Sequence, residues 1–362
     1  MDIVLEVCDT FFFDHLYAKL FPLPPAVAGL VLQHQQQQLQ QQLVEKTTTS
    51  TFDLLFNSNV SFIPQSPYEY TLIEAPATAY LTTIARTNLA RQAVSLFFIT
   101  WIFGILIYFT FASLSYLLIF DKRTFNHPKY LKNQMRLEIQ QTMSSIPLMS
   151  LYTVPWFLAE LHGYSLLYWN KDDYPSWHLV AQYPLFIAFT DFGIYLIHRG
   201  LHHPSLYKSF HKPHHKWIMP TPYASHAFHP IDGYLQSLPY HIFPFIFPLH
   251  KISYLILFTF INIWTVLIHD GEYMTNNPVV NGAACHTLHH LYFNYNYGQF
   301  TTLWDRIGGS YRRPENSLFD SQAKMDKKTW SKQVNEMERI VQTVEDDDDR
   351  QYAGDSDEKK TN

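Results

Sequence analysis

From Ala93 to Phe120 the chain runs AVSLFFITWIFGILIYFTFASLSYLLIF without a single charge. As a helix rising 1.5 Å per residue this stretch reaches about 42 Å, enough to cross roughly 30 Å of hydrocarbon even when tilted. Backbone amides and carbonyls in lipid must find partners within their own segment or in a closed barrel, so an apolar stretch of this length predicts a helix. Composition agrees. The chain of 362 residues is 47% hydrophobic and 17% aromatic, with 16% charged residues, against roughly 25% charged in soluble domains.

Further apolar segments extend the pattern. Ile146–Trp169 reads as a second span that carries Glu160 and His162, and His178–Ile197 as a third that carries Asp191. Tyr234–Leu249 and Ile252–Ile268 are short for full crossings and read as a hairpin, with Pro239, Pro244 and Pro248 bending its first arm. The expected architecture is an all-α integral membrane protein with about four transmembrane helices, the last two short and hairpin-like. Three regions follow: 1–92, with a glutamine tract from Gln33 to Gln42 and no evident cleaved leader; a membrane-embedded domain over 93–315; and an acidic tail over 316–362. The glutamine tract is expected to be disordered, and the run Glu345–Asp349 to be a solvated tail. Polar residues inside a span are functional by default, so Glu160 and His162 are candidates to line a substrate cavity.

Orientation follows from Lys122, Arg123, Lys129, Lys132 and Arg136 between the first two spans, which the positive-inside rule places in the cytosol. Residues 1–92 are then lumenal, consistent with the glycosylation triplet Asn59-Val60-Ser61. Lys359-Lys360 near the C-terminus fits a dilysine retrieval signal of the endoplasmic reticulum on a cytosolic tail.

Histidine supplies the chemistry. His211-Lys-Pro-His214-His215 and His286-Thr-Leu-His289-His290 are both HxxHH, and His198 to His203 is HxxxHH. At this histidine content HxxHH arises by chance roughly 0.05 times in such a chain. Residues three and four apart share a helix face, so each cluster can aim two or three imidazoles at one point. Nine imidazoles exceed what one ion holds, so two metals are expected, with His226, His229 and His269 near enough in sequence to complete the shells. No ExxH pair occurs, which excludes the carboxylate-bridged metal pair of helical bundles. Nitrogen donors suit zinc, copper, iron or nickel, so the metal is argued from the task. A metal pair held against lipid faces unactivated C–H bonds, which iron with dioxygen can oxidise and zinc cannot. Asp191, Asp270, Glu272 and Asp305 are candidates to orient the rings. Cys285, beside His286, reads as small-residue packing rather than a thiolate ligand, two cysteines cannot ligate an iron–sulfur cluster, and nothing points to nucleic acid.

These clusters resemble the fatty-acid hydroxylase superfamily of membrane di-iron oxygenases, whose pattern is HxxxH, HxxHH and HxxHH on the cytosolic face of a four-span bundle. Within it, TPYASHAFHPIDGYLQSLPYH (221–241), IHDGEY (268–273) and NYNYGQFTTLWDRIGGSYRRP (294–314) are similar to the fungal sterol C-5 desaturases. The resemblance covers roughly 90–315. It implies removal of two hydrogens from C5 and C6 of a Δ7-sterol such as episterol in ergosterol synthesis. Dioxygen is the co-substrate, two iron ions the cofactor, and NADH the electron source through cytochrome b5 and its reductase. Membrane lipid and other enzymes of the pathway are further partners. It also implies that His198, His202, His203, His211, His214, His215, His269, His286, His289 and His290 form a catalytic, metal-binding cap on the cytosolic side, while His226 and His229 either bind metal or shape the pocket. Arg306, Arg312 and Arg313 would receive either the acidic face of cytochrome b5 or lipid headgroups, and Thr301–Trp304 would close over the reacting ring unless Trp304 is an interface anchor. A sterol C-4 methyl oxidase or lipid hydroxylase would share the clusters. A metal-transport protein would instead spread its ligands at mid-membrane depth.

Overall fold

A computed structural model describes residues 1–48 and 72–356. The Asn59 triplet and Lys359-Lys360 lie outside the described residues. Backbone proximity divides the chain into two compact units, Met1–Thr100 with Val154–Tyr164, and Trp101–Thr153 with the chain from Ser165 onward.

In the first unit, helices Asp2–Cys8 and Asp14–Leu20 are joined by a π-helical turn, Asp9–Phe13. Arg91 pairs with Asp9 at 3.2 Å and Asp14 at 2.5 Å, and Arg86 also binds Asp14. All four charges are buried, so each needs its partner. A helix over Pro25–Thr48 carries the glutamine tract, where low complexity argued for disorder; glutamine is a fair helix former and Pro25 starts the helix where its missing N–H costs nothing. Glu160 does not line a substrate cavity, because it faces the Met1 amino group at 3.4 Å. His162 meets Gln92 at 3.0 Å. Both are taken up inside this unit.

The long helices from Leu89 onward are α1 (Leu89–Leu118), α2 (Gln134–Leu161), α3 (His178–Leu201), α4 (Pro230–Ile246), α5 (Lys251–Ile268), α6 (Ala283–Tyr292) and α7 (Lys327–Val344). Among the described residues, α1, α3 and α5 are long and apolar enough to cross a membrane. Their outer faces are built for lipid: Ile102, Phe103, Leu106, Leu117 and Leu118 on α1, Phe192 and Leu196 on α3, and Ile256 on α5 are exposed.

The expected second crossing is displaced. Helix α2 starts well before Ile146 and stops at Leu161, with Leu167–Tyr168 forming a short strand parallel to Leu249–His250. Its polar side chains explain why it is not among the apolar spans. Gln134 donates to Met219 O, Gln141 to Ala227 O and Ser145 to Phe228 O, and Glu138 accepts from the Thr221 amide. Helix α2 is thus a polar buttress for residues 213–228, which include part of the second histidine cluster.

The hairpin of α4 and α5 is present. His229 caps α4 by accepting from Ile231 N, with Pro230 at the first helical position. Phe186, Ile194, Phe243, Tyr254, Leu257 and Ile261 form the apolar core shared by α3, α4 and α5. Gly193 lets α3 meet α4 closely, since a Cβ there would lie 2.7 Å from the Pro239 ring.

The acidic run is solvated in part: Asp346, Asp347 and Asp349 are exposed, whereas Glu345 is buried. Helix α7 packs Met337 and Val341 against Leu288, Leu291 and Tyr292 of α6. The chain beyond it brings Glu345 and Arg350 into a buried pair whose two bonds are both 2.8 Å. Tyr207 donates to Glu345 at 2.7 Å, and Arg350 donates to His215 O at 3.0 Å. Lys212 meets Asp349 at 3.0 Å, and Lys208 meets Asp346. Lysines of the second cluster neutralise the run, so it folds back.

Two stability outcomes follow. Gly193→Ala lowers the melting temperature in detergent, by about 1–3 kcal/mol of overpacking, whereas Gly200→Ala, whose Cβ meets nothing within 4 Å, leaves it unchanged or raised. Arg350→Ala strands the Glu345 carboxylate and costs about 3–5 kcal/mol; Arg339→Ala on the exposed face of α7 serves as the neutral control in the same melt.

Candidate metal centre

The three clusters and His269 converge within the second unit. His198 sits in the last turn of α3 and His202 caps it; His211, His214 and His215 follow on a π-helical and an α-helical turn; His269 caps α5; His286, His289 and His290 lie on α6. Nine of them form two groups. One contains His198, His202, His211, His215 and His289, the other His214, His269, His286 and His290, and within each group the ring nitrogens lie within 4.8 Å of one another. The groups adjoin, with the His215 and His290 rings 4.9 Å apart.

Helical geometry explains the partition. A residue four along returns to nearly the same direction, and the residue between the pair's ends points elsewhere by about 100° per step. His211 and His215 therefore serve one group and His214 the other, while His286 and His290 serve the second group and His289 the first. Each HxxHH feeds both.

The hydrogen bonds set the tautomers. His198 donates Nδ1–H to Tyr297 O at 2.9 Å, His289 to Tyr295 O at 2.7 Å and His269 to Thr265 O at 2.6 Å, while His211 Nδ1 meets Asp232 Oδ2 at 2.7 Å. A carbonyl or carboxylate can only accept, so in each neutral ring the proton is on Nδ1 and Nε2 carries the lone pair. Across the groups Nε2 atoms face one another: His198 and His211 at 3.1 Å, His215 and His289 at 2.9 Å, His269 and His286 at 2.9 Å, and His286 and His290 at 3.2 Å. Between His198 and His211 no proton is left to share. Buried lone pairs directed at one point are a repulsive arrangement that a cation resolves, and His202, both of whose ring nitrogens are buried without a partner, adds to the demand. Burial holds the pKa values of His202, His214, His215, His286, His289 and His290 well below the ordinary value, and that of His269 at about 3. Neutral imidazole is the form that binds metal. The donor set fits a pair of transition-metal ions.

His203, His226 and His229 stand apart. His203 is exposed and caps the turn Pro204–Leu206 by accepting from Ser205 N; the four-residue rule selects His202 as the partner of His198 and leaves His203 turned away. His226 uses both nitrogens, one with Ser225 and one with Asn262. His229 is the cap of α4.

The ring-orienting carboxylate is Asp232, which sequence reasoning missed because an acidic residue in a first helical turn reads as a dipole partner. The proposed carboxylates have other tasks. Asp191 accepts from Gln299, Phe300 and Thr301 amides, and Asp305 from Tyr297 and Gly298 amides, so both clamp the loop that presents Tyr297 O to His198. Asp270 holds the Glu272 amide, and Glu272 pairs with Lys324. Cys285 belongs to neither group, and burial pushes its thiol up to about 12, which removes the thiolate reading. Trp304 packs on Phe192 with ring centres 4.6 Å apart.

The fatty acid hydroxylase family matches residues 183–310, which contain all nine histidines. A probable Δ(7)-sterol 5(6)-desaturase of Neurospora crassa is 56% identical over 97% of this chain and 97% of its own. The Δ(7)-sterol 5(6)-desaturases of Leptosphaeria maculans and Saccharomyces cerevisiae are 54% and 52% identical, covering 99% and 100% of both chains. This chain belongs to the Δ(7)-sterol 5(6)-desaturase family. No solved structure matches it.

As in a family that works in membranes, a cavity lies beside the two groups. His198, His214, His269 and His286 form one side, and Met149, Phe228, Ile261 and Ile268 supply apolar walls. The arrangement sets an apolar-walled cavity directly against imidazoles of both groups.

Asp232→Ala is expected to lower metal affinity about 10- to 100-fold, read as metal retained per chain after titration with a chelator, whereas His203→Ala retains the wild-type content.

Proposed function

We propose that this protein introduces the C5=C6 double bond into Δ7-sterols of the episterol type in ergosterol biosynthesis. The observation that carries the proposal is the end-to-end identity with proteins named for that reaction. The paired imidazole groups beside an apolar cavity support it. The C5 and C6 hydrogens leave with two electrons, NADH supplies two more, and dioxygen takes all four to become two waters. An iron pair, when bound, supplies with dioxygen the oxidant that an unactivated C–H bond requires. His198, His202, His211, His215 and His289 would hold one iron, and His214, His269, His286 and His290 the other.

The chain's own groups prepare the site. Tyr295 O, Tyr297 O, Thr265 O and Asp232 hold the Nδ1 protons and so aim Nε2 inward, the pre-organisation on which such sites depend. Burial excludes water that would otherwise quench the oxidant. Electrons would come from cytochrome b5. Arg312 is paired with Glu336, and Arg306 is engaged by Thr302 and Pro278 O. A groove beside the second cluster is lined by Lys132, Lys208, Lys212 and Lys216; Lys208 and Lys212 are paired with Asp346 and Asp349, so Lys132 and Lys216 are the cations that an acidic donor would meet there. The positive loop after α1 supports a cytosolic cap, and the endoplasmic-reticulum membrane is proposed as its location. Ligands gathered at helix ends, rather than along several spans, disfavour transport.

Cells lacking the protein accumulate sterols without the C5 double bond, read by mass spectrometry of the sterol fraction; a build-up of 4-methylated sterols would select the sibling oxidase. His289→Ala abolishes conversion in microsomes supplied with NADH and dioxygen, and full activity of that variant would overturn the metal assignment.

A further inference from the structure

Residues 2–20 form a continuous helical segment of the first unit, two α-helices joined by the π-turn, and its faces are the reverse of a helix in water. A helix on a soluble domain turns its apolar stripe inward and its charges outward. Here Glu6, Asp9 and Asp14 are buried, while Phe11, Phe12 and Leu20 are 69%, 59% and 58% exposed. Phe12, Leu16 and Leu20 recur at intervals of four and so make one row. Val7, Phe11, His15 and Lys19 make the row beside it, apolar at its start and polar at its end.

The inward charges have partners. Arg91, in the first turn of α1, binds Asp9 at 3.2 Å and Asp14 at 2.5 Å, and Arg86 donates to Thr10 at 3.0 Å as well as binding Asp14. Glu6 accepts from the Leu72 and Ile73 amides at 2.6 and 3.0 Å. The Arg91 guanidinium also lies 4.5 Å from the centre of the Tyr17 ring. Buried carboxylates persist only with such partners, so the outward phenylalanines are the counterpart of a built polar interior.

Where the segment is fastened decides what covers its outer face. Beyond Arg91, α1 runs without a charge to Leu118, and its exposed residues Val94 and Phe98, in the same unit, face lipid. Arg91 therefore holds the segment at the level where α1 enters the bilayer, and the apolar face continues the lipid-facing surface of that span. We propose that residues 7–21 anchor the chain in the bilayer surface at the end where α1 begins: Phe11, Phe12, Leu16 and Leu20 enter the acyl layer and Lys19 stays at the phosphates. No residue of the metal centre takes part, so the proposal stands apart from the sterol reading.

The test uses the full chain in phosphatidylcholine nanodiscs. Cys8→Ser removes the partly accessible native thiol, and Cys285 is buried. A spin label is then attached through Phe12→Cys, Leu16→Cys or Leu20→Cys, and its collisions with dissolved oxygen, which concentrates in acyl chains, are compared with those of a water-soluble nickel complex. Ile102→Cys on the exposed face of α1 gives the lipid reference, and Arg339→Cys on the exposed face of α7 the water reference. The oxygen-to-nickel ratio at positions 12, 16 and 20 is expected to be several-fold above that at 339 and close to that at 102, with Lys19→Cys in between. A ratio equal to that at 339 overturns the proposal. Weak collisions with both reagents also overturn it: spin–spin broadening that disappears on dilution with unlabelled chain would then assign the face to a second copy, and no broadening would assign it to the chain's own interior. The substituted side chains point outward, and three positions guard against a variant that does not fold.

Discussion

Lone pairs pointed at one another in a dry interior are the constraint on which the rest of the structure depends. His215, His289 and His290 are 0% exposed, so water cannot separate their nitrogens, and desolvation disfavours the protonation that would relieve them. Between His198 and His211, whose Nδ1 protons are both committed, no N–H is left to separate the two Nε2 atoms, and a cation there would turn the repulsion into two bonds. The Nδ1 tethers decide in advance which nitrogen of these rings would face such an ion.

The surrounding architecture serves that demand from three sides. Helix α2 spends its polar side chains on the 213–228 segment instead of lipid. Asp191 and Asp305 hold the 297–301 loop by its amides, so Tyr297 O reaches His198. Arg350 reaches His215 O from the C-terminal side while sharing Glu345 with Tyr207. None of these residues belongs to either imidazole group, yet each fixes a stretch of chain that carries a member of one. The hairpin of α4 and α5 adds the cavity and, through His269 at its end, a member of the second group.

Much of this was legible in the sequence. The uncharged stretch after Ala93 announced α1, the clusters announced two converging groups of imidazoles, and the hairpin was readable from its prolines and length. What escaped did so for physical reasons. Local apolarity drew the second span too far, because the polar side of α2 is buried against protein, which hydropathy cannot register. The fold-back that buries Glu345 escaped because the lysine partners of the acidic run lie more than a hundred residues away. His203 was taken with its neighbours although the four-residue repeat, applied strictly, separates it. Asp232 hid because nothing local distinguishes a carboxylate facing a ring from one facing a helix end; Glu160 and His162 were misassigned for the same reason. The glutamine tract lies in a helix despite its simple composition.

The claim at the centre is that the two histidine groups jointly hold a pair of iron ions. Metal analysis of the purified, active protein tests it most directly: two irons per chain, lost together with activity on chelation and regained with it, are expected. One ion per chain, or zinc in a fully active preparation, would contradict it.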